Sequence, residues 1–241
     1  MNSLKTALSF LTILPLKLSG SMDPEAIGRS AAWFPLVGVL IGGVTSGGLI
    51  LLSDHFPSFL AAAIAAALWA ALSGGLHLDG LADCCDGLLA SVPQNRRIEI
   101  MHDPRLGVFG GAGLALHLLV KTAALAALPA RYMLIAPVLG AVLGRWMVLP
   151  LALKPEARSS GLGAAFSAGV QPGALIRAAI LPLALAAAGG WRGAAALAAV
   201  FVLGVGVGAL AKNRLGRISG DVYGLVVELS ELCVLLVFAA Q

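Results

Sequence analysis

The sequence predicts an all-α fold: a polytopic integral membrane bundle with about seven transmembrane helices. Two observations carry that prediction. Hydrophobic residues make up 59% of the 241 residues and charged residues only 12%, about half the roughly 25% usual for soluble domains, and mean hydropathy is +0.94. Apolar runs also recur along the chain, several near the roughly 20 residues a helix needs to cross a bilayer.

The elements follow in order. Residues 1–30 open with "MNSLKTALSFLTILPLKLSG", a short apolar stretch broken at Pro15 and Lys17. Without a small-residue cleavage site it is expected as an interfacial or re-entrant helix rather than a cleaved signal. Spans are expected at 31–53, 58–78, 108–129, 132–152, 173–190, 193–211 and 222–240. Pro57 in "SDHFPS" turns the first into the second, "LPARY" joins the third and fourth, and "AGGWRG" joins the fifth and sixth. Three longer polar segments, 79–107, 153–172 and 212–221, remain as loops. Runs such as "GGVTSGGL" suit close helix packing, because small residues let backbones approach where lipid supplies no hydrophobic drive. The whole chain, 1–241, is expected to form one membrane-embedded domain.

Charge orients the bundle. Lys5, Lys17, Arg29, Arg96, Arg97, Arg105, Lys154, Arg158, Arg177, Lys212, Arg214 and Arg217 fall on one side of the expected spans, Arg131 and Arg192 on the other. The positive-inside rule makes the rich side cytoplasmic, and all three polar segments with it. The formal charge of +4 is then an orientation signal and not a nucleic-acid surface. The three cysteines, Cys84, Cys85 and Cys233, form no CxxC pair and support neither a structural zinc site nor a disulfide framework.

The chemistry concentrates in "GGLHLDGLADCCDG", residues 74–87. Asp79, Asp83 and Asp86 are spaced four and three apart, so on a helix they share one face. Clustered carboxylates repel unless a cation lies between them, and hard oxygen ligands suit Mg²⁺ or Mn²⁺ beside substrate phosphates. His77 is open to three roles: orienting a carboxylate, contacting phosphate or capping a helix. The next segment, "NRRIEIMHDPRLGVFGG", offers Arg forks and a Gly-rich helix start for anions. Within spans, His117 and Lys121 lie four apart and Arg145 sits in the next span. Intramembrane charges usually face a bundle interior or a wet cavity. Glu228 and Glu231, inside the last span, call for Arg145 or Lys121 as partners, and Asp221 marks that span's cytoplasmic mouth. "SSGLGAAFS", 159–167, is either a cover over substrate or an ordinary connector.

"GGLHLDGLADCCDG", "MHDPRLGVFG", "SSGLGAAF" and "ISGDVYGLVVELSE", in this order, resemble the cobalamin synthase family, the adenosylcobinamide-GDP ribazoletransferases. The resemblance runs through the whole chain and implies a Mg²⁺-dependent, multi-pass transferase of the bacterial inner membrane with its active site facing the cytoplasm. Its substrates would be adenosylcobinamide-GDP and α-ribazole or its 5′-phosphate, and GMP would be released. Spacing and resemblance together make Asp79, Asp83, Asp86 and Asp221 the expected metal ligands. Asp86 and His77 are the candidate catalytic residues, and Arg105, Lys121, Arg145 and His117 the substrate and phosphate contacts. Other enzymes of cobalamin assembly are conceivable partners, and oligomeric state is left open.

Two other classes compete. A CDP-alcohol phosphotransferase also uses aspartates at a span end, but its motif continues past Asp-Gly with Ala-Arg and a further acidic pair, and here "LLASVPQNRR" follows. An ion-coupled secondary transporter would route ions past Asp221, Glu228 and Lys121. Such folds often carry internal repeats, and the aspartate motif has no second copy.

Overall fold

The computed structural model describes residues 3–16, 23–158 and 161–240. Lys17, Ser159 and Ser160 lie outside the described residues, as does the side chain of Arg158. The described chain is helical throughout, with no strand among the described residues. In order the helices are α1 (Ser3–Leu11), α2 (Pro24–Arg29), α3 (Phe34–Ser53), α4 (Ser58–Leu72), α5 (Leu76–Leu89), α6 (Gln94–Met101), α7 (Val108–Ala126), α8 (Ile135–Ala152), α9 (Gly161–Gly169), α10 (Pro172–Ala188), α11 (Gly190–Leu215) and α12 (Gly220–Ala239). Five stretches are long and apolar enough to cross a membrane, those built on α3, α7, α8, α11 and α12. Counting the bent pairs α4–α5 and α9–α10 gives seven.

Polar contacts sort the connections to two ends. At one end Gln94 donates to the Leu215 carbonyl at 2.8 Å, Lys212 pairs with Glu156 at 2.7 Å, and the Ile218 N–H reaches the Glu156 carbonyl at 3.2 Å. The three polar segments of the sequence therefore meet. At the other end Arg192 holds the Tyr132 hydroxyl at 3.0 Å and the Ala240 carbonyl at 2.7 Å.

Two expected loops are corrected. The second span stops at Leu72 rather than at residue 78. Gly74 and Gly75 take φ values of +62° and +69°, a left-handed turn open to residues without a Cβ, and α5 leaves at 93° to α4. The Ile13 N–H closes this ending by donating to the Leu72 carbonyl at 3.0 Å. The aspartates therefore stand on a helix, α5, and not on a loop. Residues 153–172 likewise contain α9, bent 86° from α10.

The core is α8, buried over 78% of its apolar window against 28% for α11, with α3 on one side and α12 on the other. Small residues set these distances. A Cβ on Gly42 of α3 would fall 2.6 Å from the Val138 Cα, and one on Gly144 of α8 would fall 2.9 Å from the Val227 carbonyl oxygen. The crossing of α5 with α12 is as tight: a Cβ on Gly80 would lie 2.8 Å from the Asp221 carbonyl oxygen, and one on Gly224 would lie 3.0 Å from that of His77. Packing at these contacts holds the bundle, since burial from lipid gains little between apolar helices.

Gly42→Ala should accordingly lower the thermal stability of the detergent-solubilised protein by about 1–3 kcal/mol, the usual range for overpacking. Gly47→Ala, on the same helix but facing open space, should leave it level or slightly raised. Melting curves of the two variants side by side check this.

Candidate active site

At the end where the polar segments meet, a cavity of about 290 Å³ opens between α1, α2, α3, α5, α8, α9 and α12. The α5–α12 crossing builds its polar side. Asp79 and Asp221 stand at its more exposed edge, while His77 and Arg145 lie inside, at 6% and 0% exposure. Nε2 of His77 and Nε and Nη2 of Arg145 are buried without a hydrogen-bond partner among the described residues. The opposite side is apolar and aromatic, with Phe10, Phe34, Phe166 and Tyr223 in succession.

Asp83, one turn beyond Asp79 on α5, is half-buried. Burial, then the charges of Asp221, Asp79 and Asp86, push its carboxyl up to about 6. Neither Asp79 nor Asp83 enters an ion pair among the described residues, and Asp221 accepts a long 3.2 Å bond from the Ser219 hydroxyl. Crowded carboxylates are what a hard divalent ion would relieve, and Asp221 also lies within reach of the charges of His102 and Arg217. By donor chemistry the three fit Mg²⁺, although among the described residues no group of three or more His, Cys, Asp or Glu is drawn together closely enough to hold a metal.

Asp86 does something else. Its Oδ2 accepts from the Gly107 N–H at 2.8 Å and its Oδ1 from the Gly110 N–H at 2.9 Å, so it caps the start of α7. Each oxygen accepts one backbone amide, so Asp86, expected as ligand and base, is also a clamp between α5 and α7. Arg97, read from sequence as part of a phosphate cradle, is buried and donates to the Gly87 and Leu88 carbonyls at 3.0 and 2.9 Å. It closes the last turn of α5, where a cation also suits the helix dipole. Arg105 is not brought to the cavity either. It is exposed and bound bidentately by Asp103, whose carboxyl those bonds pull down to about 2.

The intramembrane charges meet as expected, but on one another. Glu231 accepts from Arg145 Nη1 at 2.7 Å, from the Trp69 indole at 3.2 Å and from Lys121. Lys121 also donates to Glu228 at 2.8 Å, and Nε2 of His117 lies 2.8 Å from that same carboxylate. The ammonium of Lys121 stacks 4.4 Å over the Trp69 ring. Two carboxylates thus balance one lysine and one arginine. Lys121 and His117 are used up inside this network and do not line the cavity, which corrects their expected role as phosphate contacts. Only Arg145 belongs to both. His117 instead borders a second, apolar cavity of about 360 Å³ with Cys84 and Cys85.

Sequence reasoning missed the aromatic wall and Trp69. Tyr223 stands inside the "ISGDVYG" motif, but Phe10, Phe34 and Phe166 lie on three separate helices with nothing in their local spacing to join them. Of "SSGLGAAFS", Gly163 and Phe166 line the cavity on α9, and Ser159 and Ser160 lie outside the described residues.

Fold and site define a multi-pass helical membrane protein with a half-polar, half-aromatic cavity at one end of its bundle. The chain belongs to the cobalamin-5-phosphate synthase family, whose profile matches residues 3–239. It is 42% identical over 237 residues to the adenosylcobinamide-GDP ribazoletransferase of Pseudomonas savastanoi pv. phaseolicola, covering 97% of each chain. A protein of the same name from Roseiflexus sp. is 38% identical over 235 residues, 95% of this chain and 86% of the other. That of Pseudomonas paraeruginosa is 40% identical over 249 residues, 99% and 98% of the two chains. No solved structure matches the chain.

Removing one partner from a buried ion network leaves an uncompensated charge, at a cost of about 3–5 kcal/mol. Lys121→Met should destabilise the solubilised protein by that order, and Lys121→Met with Glu228→Gln should recover a good part of it. Unfolding midpoints of the single and double variants measure both.

Proposed function

We propose that this chain is an adenosylcobinamide-GDP ribazoletransferase of a bacterial inner membrane, with the α5 end of the bundle facing the cytoplasm. It joins the phosphate that carries the corrinoid arm to a hydroxyl of α-ribazole or its 5′-phosphate and releases GMP. The observation that carries the reading is one cavity shared by the carboxylates of Asp79 and Asp221, the imidazole of His77 and the guanidinium of Arg145, in a chain of this family. The cytoplasmic orientation rests on the excess of Lys and Arg in the segments at this end.

In the transfer, the acceptor hydroxyl forms a new bond to the corrinoid-bearing phosphorus, the bond from that phosphorus to the bridging oxygen breaks, and that oxygen leaves with GMP. Three things are needed: charge neutralisation at the pyrophosphate, a proton acceptor for the hydroxyl, and alignment of the two substrates. Asp79, Asp83 and Asp221 would hold Mg²⁺, which when bound supplies the positive charge that the pyrophosphate and the leaving GMP require. Arg145 has two unpartnered nitrogens to give to a phosphate oxygen while its third is fixed by Glu231. His77, whose Nε2 lies in the cavity wall without a hydrogen-bond partner among the described residues, would accept a hydrogen bond from the acceptor hydroxyl and orient it, while Asp86 is held by two backbone amides.

Purified protein given adenosylcobinamide-GDP, α-ribazole and Mg²⁺ should release GMP. Asp83→Asn should lower that rate by about a hundredfold or more, the size of effect seen when transition-state charge loses its stabiliser, and should raise the Mg²⁺ concentration for half-maximal rate. Asp86→Asn should leave that concentration unchanged. Full Mg²⁺-dependent turnover by Asp83→Asn would remove it from the ligand set, and absence of GMP release by the native protein would end the assignment.

A further inference from the structure

The aromatic side of the cavity is a continuous surface. Phe10 of α1, Phe34 of α3 and Phe166 of α9 stack in offset fashion with centroids 6.1 and 6.0 Å apart, and Tyr223 of α12 meets Phe166 edge-on at 5.5 Å. Three of the chain's eight Phe and one of its two Tyr thus border one small cavity. Leu11, Pro24 and Ile27 extend the same side. Rings in lipid-exposed positions would need no explanation, but Phe34, Phe166 and Tyr223 are each at least nine-tenths buried. Four helices converge to put them there, and α9 is held in place backbone to backbone by α2: a Cβ on Gly28 of α2 would fall 2.0 Å from the Phe166 carbonyl oxygen.

We infer that this wall is the binding site for the flat heteroaromatic base of the acceptor nucleoside, α-ribazole, with the base against Phe34 and Phe166 and the sugar toward His77 and Asp79. The inference rests on the reaction proposed above. Size excludes the corrinoid, since about 290 Å³ is at the lower edge of the roughly 300–1,000 Å³ of small-molecule sites. Two flat bases remain, the guanine of the donor and the benzimidazole of the acceptor. Guanine carries a carbonyl, a ring N–H and an amino group, and each loses its bonds to water on burial unless the protein replaces them. The aromatic side has little to offer, because its polar pair, the Tyr223 hydroxyl and the Ser167 hydroxyl, bind each other at 2.8 Å. A methylated benzimidazole in a nucleoside has no donor and a single ring-nitrogen acceptor on its rim, so it loses fewer bonds to water than guanine and gains from both burial and stacking. The polar side, with the unpartnered nitrogens of His77 and Arg145, complements the hydroxyl- or phosphate-bearing sugar.

Kinetics with both substrates varied test the assignment. Phe166→Leu keeps apolar volume but removes the ring, and loss of base–aromatic stacking should raise the KM for α-ribazole about tenfold, leaving the KM for adenosylcobinamide-GDP within about twofold. Free 5,6-dimethylbenzimidazole should compete with α-ribazole, and guanosine should not. Phe10→Leu, at the half-buried end of the wall, gives the same readout if Phe166→Leu does not fold. A KM rise confined to adenosylcobinamide-GDP, equal rises for both, no rise, or competition by guanosine alone would overturn the inference. Calorimetry separates it from the assigned reaction. Native protein that binds α-ribazole, with binding weakened in Phe166→Leu, but releases no GMP would refute the reaction and keep the base site. Native turnover with unaltered α-ribazole binding in both variants would refute the base site alone.

Discussion

The arrangement of this end of the bundle depends on two glutamates buried in α12. Glu228 and Glu231 sit at 3% and 0% exposure in a largely apolar helix. Charges at that depth persist only when they are compensated within the protein. The compensation comes from two other helices, Lys121 of α7 and Arg145 of α8, with the Trp69 indole of α4 as a further donor. Three helices are therefore tied together by ionic bonds, and α4 joins them through the indole, in a way that packing of Ala and Gly alone would not specify. The tie also fixes Arg145 by a single nitrogen and leaves the rest of its guanidinium for the cavity.

Above that tie, the geometry is set by how closely backbones approach. Gly80 and Gly224 let α5 ride on the first turns of α12, and the left-handed pair Gly74–Gly75 lets α5 turn across the bundle at all. The consequence is electrostatic. Asp79 and Asp83 come near Asp221, from a helix far later in the chain, without any Lys or Arg ion pair to either α5 carboxylate among the described residues. Burial first, and then the neighbouring carboxylates, raise the Asp83 carboxyl. Asp86 and Arg97 serve the same placement from the other end, one pinning α5 to α7 and the other closing its last turn.

This division explains what the sequence made legible. Five to seven apolar crossings and the end at which the polar segments gather follow from composition and charge, because a lipid environment leaves few alternatives. The pairing of Glu228 and Glu231 with Lys121 and Arg145 was equally readable, since buried charge demands countercharge. Side chains at the water boundary are under no such constraint. Asp86 has the same spacing and neighbours as Asp83, and only the arrival of Gly107 and Gly110 at hydrogen-bond distance turns it into a cap. Arg97 and Arg105 are one basic segment in sequence, yet one faces the carbonyls ending α5 and the other faces solvent. The second span looked longer than it is because Leu76 and Leu78 continue the apolar run past the break, and hydropathy does not register a left-handed turn.

The aromatic wall was the least legible part, and the reason bears on how the site works. Its rings come from α1, α3, α9 and α12, so no window of sequence contains two of them in register. Residues of α1, α2 and α9, which look like an interfacial segment and a connector in sequence, also line the cavity beside the rings. A membrane enzyme that takes a hydrophobic base from water has to keep that base from partitioning into the bilayer around it. In the base site inferred above, short helices at the bundle end would enclose the rings over a floor whose charges are already balanced, and the base would meet a buried apolar surface continuous with the carboxylates.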